Sequence, residues 1–146
     1  MEIQIKRFSE LTVQQLYAIL KQRSNIFVVE QNCAFSDMDN YDQIATHIWL
    51  EDNGNLLSYA RVLPNNTKHT NVSFGRIISV VRRKGYATHV LNAALSYAKA
   101  TYDAKEVDID AQVVAIPFYE SIGFVVVGGP FLEDNIAHVR MRYYVK

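Results

Sequence analysis

Apolar positions along the chain follow two periods, one of two residues and one of three to four. Ile3 and Ile5 alternate with polar neighbours, the pattern of a half-buried strand. Val13, Leu16, Tyr17 and Leu20 recur at i, i+3, i+4 and i+7 and mark one apolar helix face. Thr12 opens that helix, and Gln15 three residues on completes a capping box. Ile26-Phe27-Val28-Val29 ends the helical region or turns it into the next loop. Residues 31–45 are polar, carry Asp37, Asp39 and Asp42, and read as a long loop of the kind that often has a function. Thr46–Leu50 and Leu56–Leu63 are β-rich and joined through Asp52-Asn53-Gly54-Asn55, whose Asn-Gly supplies the positive φ angles of a tight hairpin. Asn71–Ser79 is a third strand, with Gly75 marking a bulge.

A helix over Ala87–Thr101 buries Val90, Leu91, Ala94, Leu95 and Ala98, and Val107–Asp110 forms a short strand. Ile116–Ser121 is a short helix with Pro117 in its first turn and Gly123 closing it. Val125–Val127 and Ala137–Val145 make a last pair of strands around a loop at Gly128-Gly129-Pro130. The order β-α-β-β-β-α-β-α-β-β predicts an α/β (α+β) chain: a mixed sheet with helices on its faces, one domain over residues 1–146.

Composition narrows the function. With 49% hydrophobic and 21% charged residues the chain is an ordinary globular domain. Its 15 basic and 15 acidic residues cancel, which argues against a general affinity for nucleic acid. Nine Tyr and seven Phe suit a core with polar pockets cut into it. Cys33 is the single cysteine, so no internal disulfide forms; it reads as a small buried hydrophobe. The N-terminus lacks a signal-peptide pattern and no apolar stretch reaches the ~20 residues of a membrane span, so a cytoplasmic protein without a membrane partner is expected. The four histidines, 47, 69, 89 and 138, show no ligand spacing, and no metal is expected.

The chemistry-bearing unit is a strand, then Arg82-Arg83-Lys84-Gly85-Tyr86-Ala87, then a long amphipathic helix. A helix N-terminus offers unpartnered N–H groups and partial positive charge, and a glycine there lets an anion approach the backbone. Physics alone thus suggests a phosphate site, although a basic turn before a helix is often only solvated. The loop is not a Walker motif, since no Gly-Lys-Ser/Thr follows, nor a dinucleotide fingerprint, which needs three spaced glycines.

Downstream stands Phe118-Tyr119-Glu120-Ser121-Ile122-Gly123-Phe124. Arg-x-x-Gly-x-Ala before a helix, with Phe-Tyr-x-x-x-Gly-Phe about thirty residues later, resembles the two signature motifs of GNAT acetyltransferases, and the order of elements matches along essentially the whole chain. Phe27-Val28-Val29-Glu30-Gln31-Asn32-Cys33, Asp37, Asp39 and His47, with Glu133-Asp134-Asn135-Ile136-Ala137-His138, resemble the ElaA-like branch. The resemblance implies the GNAT fold, a single mixed, mostly antiparallel sheet of about seven strands with helices on both faces, and transfer of an acetyl group from acetyl-CoA to a small-molecule or peptide amine.

Carried over by motif, the amides of Arg83, Lys84, Gly85, Tyr86 and Ala87 hold the CoA pyrophosphate and Arg82 adds charge. Ile77, Ile78, Ser79 and Val80 line the pantetheine arm, and N–H groups there stabilise the developing oxyanion. The stretch between Gly75-Arg76 and the loop is about two residues shorter than is common, which leaves the individual pantetheine contacts open. Tyr119 matches the family's acid that protonates the leaving thiolate, or is an aromatic packed beside Phe118 and Phe124. The strand Glu that serves many members as base is absent, and Glu30, His47, His138 or a water relay remain. His47, beside Trp49, reads equally as a structural histidine. Asp37, Asp39 and Asp42, and also Glu133 and Asp134, either attract a cationic amine or are merely solvated. A non-catalytic acyl-CoA sensor is the alternative function, and a homodimer through the C-terminal strands follows from family analogy.

Overall fold

The computed structural model describes residues 1–146. Seven strands form one sheet: β1 (Glu2–Arg7), β2 (Thr46–Asp52), β3 (Asn55–Leu63), β4 (Val72–Ser79), β5 (Glu106–Gln112), β6 (Val125–Glu133) and β7 (Ile136–Tyr144). Their spatial order is β1-β2-β3-β4-β5-β7-β6, and every neighbouring pair is antiparallel except β4 with β5. The β2–β3 hairpin turns at Asn53 and Gly54, both at positive φ (49° and 80°), as the Asn-Gly pair predicts.

α2 (Tyr86–Tyr102) and α3 (Ile116–Ile122) cover one face. The α2 residues Val90, Leu91, Ala94, Leu95 and Ala98 pack there on Ile48, Ala60, Val62, Phe74, Ile109 and Met141. α1 (Val13–Arg23) covers the other face over a smaller cluster of Ile19, Trp49, Tyr59 and Ile78. The sheet is therefore mixed, mostly antiparallel, and layered between helices on both sides. None of these helices is long and apolar enough to cross a membrane.

α1 starts as expected, with the Thr12 Oγ1 accepting from Gln15 N at 3.0 Å and Gln15 Oε1 accepting from Thr12 N at 2.9 Å. Its buried face corrects the sequence reading. Val13 and Tyr17 are 81% and 72% exposed, while Leu16, Ile19, Leu20 and Arg23 turn inward. Both stripes satisfy the helical period; the inner one contains an arginine, which hydrophobicity alone would never assign to a core. Ile26–Val29 continues the helix as a π-helical stretch over Ser24–Glu30, and 31–45 is irregular except for a short turn at Asp42–Ile44.

A second correction concerns β6. Gly128-Gly129-Pro130 is not the turn: it lies inside β6, where the pairing with β7 slips on either side of Gly128. The turn is Asp134-Asn135, both at positive φ. An edge strand tolerates a proline because one row of its backbone groups has no partner.

The feature that creates the site is a fork. β4 and β5 pair only over Val72–Phe74 with Val107–Ile109. Just beyond, Tyr59 pairs with Ile78 while Arg61 pairs with Gly75, so Arg76 and Ile77 together oppose Ala60. This bulge, with Arg76 at φ 50° and Gly75 beside it as expected, bends β4 and ends its pairing with β5.

Candidate active site

Two connected cavities occupy the fork. One, of about 510 Å³, is lined by residues 77–79 and 81–88 with Phe118 and Tyr119. Arg83 and Gly85 turn the chain into α2 at φ 62° and 74°. The first helical bond is His89 N to Gly85 O, so the amides of Tyr86, Ala87 and Thr88 have no carbonyl partner within the helix. A Cβ at Gly85 would meet nothing within 4 Å. Glycine is therefore required by the left-handed backbone, and the hollow in front of it is open to a ligand. The exposed Arg82, Arg83 and Lys84 surround it. This chemistry fits a pyrophosphate. Val80 stands apart from the expectation: it is on neither cavity wall, and its N–H is bonded to Leu57 O at 2.8 Å.

The second cavity, about 290 Å³, shares Ile77, Ile78, Ser79, Arg82 and Tyr119 with the first. The π-helical stretch contributes Ile26 and Phe27, the following loop Gln31, Cys33 and Phe35, and β5 Asp110 and Gln112. His69 enters from the β3–β4 connection, and Glu133, Asp134, Ile136 and His138 from the β6–β7 hairpin.

Tyr119 stands where the cavities meet. Its ring packs edge-on against Phe118 and Phe124, with centroids 5.2 and 6.1 Å apart. The core-aromatic reading holds for the ring, while the rest of the side chain lines both cavities. The hydroxyl makes no hydrogen bond within the protein, and burial pushes its pKa well up, so it stays protonated.

The three expected bases separate. His138 is on the wall; its Nδ1 lies 2.7 Å from Ile136 O. A carbonyl only accepts, so Nδ1 carries the proton and Nε2, 4.0 Å from Glu133 Oε2, keeps its lone pair. His47 lies outside both cavities and is fully buried, with Nε2 donating to Asp42 O at 3.0 Å and Nδ1 accepting from Tyr59 OH at 2.6 Å. Its nitrogens are spent on the frame, and burial lowers its pKa and keeps it neutral. Glu30 also lies off the walls, in a 2.6 Å ion pair with Arg82, so its carboxylate braces the basic loop before α2.

Asp37 and Asp42 are buried, Asp39 is half-buried, and none of the three lines either cavity. They neutralise three arginines, of which Arg61 and Arg76 line the second cavity and Arg23 lies off its walls. Arg23 reaches Asp37 at 2.9 Å and Asp42 at 2.7 Å, and Arg61 grips Asp39 through two bonds of 2.7 and 2.8 Å and touches Asp42 at 3.1 Å. Arg76 donates to Asp37 O at 2.8 Å; its Nε lies 2.9 Å from Asp37 Oδ1 in charge contact without hydrogen-bond alignment. Burial alone would raise the Asp39 carboxyl, but the hydrogen bonds and charge of Arg61 outweigh it and hold it far below the usual range. Sequence reasoning also missed His69, whose Nε2 lies 3.1 Å from Asp110 Oδ2. Nothing local joins a loop histidine to a residue on a distant strand. Cys33 is half-buried on the cavity wall, its thiol donating to Asp134 O at 3.4 Å.

Known proteins share this fold and much of this sequence. The chain matches the Acetyltransferase (GNAT) domain family over residues 7–145. It is 36% identical over 146 residues to a UPF0039 protein of Schizosaccharomyces pombe, covering 97% of this chain and 96% of that one. It is 36% identical over 137 residues to Protein ElaA of Escherichia coli, covering 91% and 90%. The crystal structure of Escherichia coli ElaA superposes with a TM-score of 0.89 at 35% identity, covering 98% of this chain and 99% of that chain. The crystal structure of an acyl-CoA N-acyltransferase from Pseudomonas aeruginosa gives the same TM-score at 32% identity and the same coverage. The forked sheet, the glycine-led helix N-terminus and these matches together establish that the chain belongs to the GNAT acetyltransferase family, in its ElaA-like branch, whose members transfer an acyl group from acyl-CoA.

Proposed function

We propose that the protein is an N-acetyltransferase that moves the acetyl group of acetyl-CoA to a primary amine, of a small molecule or a peptide, by direct attack on the thioester. The observation that carries this reading is the unbonded hydroxyl of Tyr119, carried by a buried ring to the junction of the two cavities. The amides from Arg83 to Ala87 hold the pyrophosphate, with Arg82 adding charge, and Ile77–Ser79 line the pantetheine arm. The second cavity, at about 290 Å³, is at the small end for ligand sites, which favours a short acyl group beside the acceptor.

An alkyl amine of pKa near ~10 is neutral in only about one part in a thousand at pH 7, a handicap of roughly 4 kcal/mol. The Nε2 of His138 takes this proton, and Glu133 beside it leads it to solvent. Backbone N–H groups of β4 beside the bulge stabilise the charge developing on the acyl oxygen. Tyr119 donates to the departing sulfur. Direct attack is supported over an acyl-cysteine because the Cys33 thiol is tied to a carbonyl, with no histidine bonded to it.

The test is thermal stability with and without acetyl-CoA, for wild type and Gly85→Asp, followed by amine-dependent release of CoA. Ligand at ~100 times its Kd adds about 2.7 kcal/mol, a shift on the order of 5 to 15 °C at this size. The shift is expected in wild type and not in the variant. Binding without CoA release across an amine panel would make the protein a sensor instead.

A further inference from the structure

The acceptor nitrogen loses two protons in this reaction: one when the ammonium becomes an amine, and one as the amide forms. His138 accounts for the first. We infer that His69, oriented by Asp110, is a second catalytic base that takes the later proton at the root of the fork; the inference rests on the amine-acyltransferase reading above.

His69 lies in the β3–β4 connection, residues 64–71, which is tied to itself by Asn66 N to Thr70 O (3.0 Å), Thr67 N to His69 O (3.2 Å) and Thr67 Oγ1 to Pro64 O (2.6 Å). These bonds fold His69 inward, its side chain only 14% exposed, onto the wall of the second cavity. Its Nε2 meets Asp110 Oδ2 at 3.1 Å, while Arg140 Nε holds the other carboxylate oxygen at 2.6 Å. Burial alone would raise the Asp110 carboxyl, but His69 and Arg140 beside it bring it down to about 2. Asp110 is thus an anion at any working pH. Facing an anion, Nε2 carries its hydrogen, and the lone pair rests on Nδ1, which has no partner in the protein.

The position suits the role. Ile109 is the last β5 residue paired with β4, and Asp110 follows it. The pair therefore sits where the strands part, beside the bulge. His138 is opposite Gln112, farther along β5 towards the Glu133–Asp134 end. Other charges near His69 are balanced. Lys68 turns to Asp39 at 4.0 Å and to the Tyr41 ring, and Arg61 and Arg76 on the same wall are matched by Asp37, Asp39 and Asp42.

The proton count closes. As the C–N bond forms and the C–S bond breaks, the nitrogen gives its second proton to His69 Nδ1. Tyr119 protonates the sulfur and recovers a proton from His69 through water. The first proton leaves through His138, so amide, thiol and one released proton are the products.

The experiment is steady-state turnover against pH for wild type, His69→Gln and Asp110→Asn, with acetyl-CoA binding followed by thermal shift. His69→Gln is expected to lower kcat about 10²-fold, leave the KM for acetyl-CoA within about twofold, remove one ionisation from the pH profile and recover partly with added imidazole. Asp110→Asn, which removes the anion that orients His69, should lower kcat while acetyl-CoA binding is kept; if it unfolds because Arg140 loses its partner, His69→Gln decides alone. An active wild type whose His69→Gln variant keeps its kcat and pH profile overturns this inference while the reading above stands. A wild type that binds acetyl-CoA and acylates no amine overturns both.

Discussion

Tyr119 shows how one side chain joins packing to chemistry. Its ring is fixed by Phe118 and Phe124, so its hydroxyl is delivered to the fork at little entropic cost, and burial keeps it protonated. Tyr119→Phe preserves the ring and deletes only the donor. We expect kcat to fall about 10²-fold, the usual worth of a positioned acid, with acetyl-CoA affinity little changed. Steady-state kinetics beside a binding isotherm would check this; full turnover in the variant removes the acid role. His47 teaches the reverse lesson. It is a histidine in a suggestive stretch, yet both its nitrogens are occupied and it supports the frame.

At the scale of elements, the arginine–aspartate network is what fastens α1, the 31–45 loop, β3 and β4 into one wall. Arg23 is 0% exposed and bonds both Asp37 and Asp42. Arg23→Ala would leave these carboxylates buried with part of their compensation gone, at a cost of about 3–5 kcal/mol. Urea unfolding should show the loss as a lower midpoint; a change under 1 kcal/mol would mean that the network contributes shape without stability. Because Arg76 belongs to both the network and the β4 bulge, the same variant should weaken acceptor binding more than acetyl-CoA binding, whose proposed site at the turn into α2 lies elsewhere.

For the whole molecule, the buried charges set a stability profile against pH. His47, pushed below its ordinary 6.5 chiefly by burial, contributes stability that is complete above that value and lost as pH falls through its folded pKa. Asp39 and Asp42 are held below their ordinary 3.8 by Arg61 and Arg23, against the raising effect of burial. Their share is present above that value and disappears as pH falls through their depressed folded values. The melting temperature should therefore be flat above pH 6.5, decline gently below it, and fall steeply below about 4. Moderate salt should alter the steep part little, because these pairs are out of solvent. Calorimetry across pH 2–8 reads both breaks, and a single smooth decline would contradict the assignment to two kinds of group.

The sequence by itself determined the elements, their order and the glycine-led turn into α2 where the proposed donor site lies. Asn53-Gly54, Thr12 with Gln15, Pro117 and Gly85 act through local backbone geometry, which a linear reading carries completely. The hydrophobic periods placed α2 because every residue on its buried face is apolar. The same logic misplaced the face of α1, where a charge is buried, and the last turn, where an edge strand accommodates Gly-Gly-Pro. Tertiary structure alone decided the acceptor side. The neutralisation of Asp37, Asp39 and Asp42, the retirement of His47 and Glu30, and the pairing of His69 with Asp110 all depend on contacts between residues far apart in the chain. Whether a polar side chain is solvated, structural or reactive depends on which partners the fold brings within about 3 Å, and hydrogen-bond reach is a property of space that spacing along the chain does not encode.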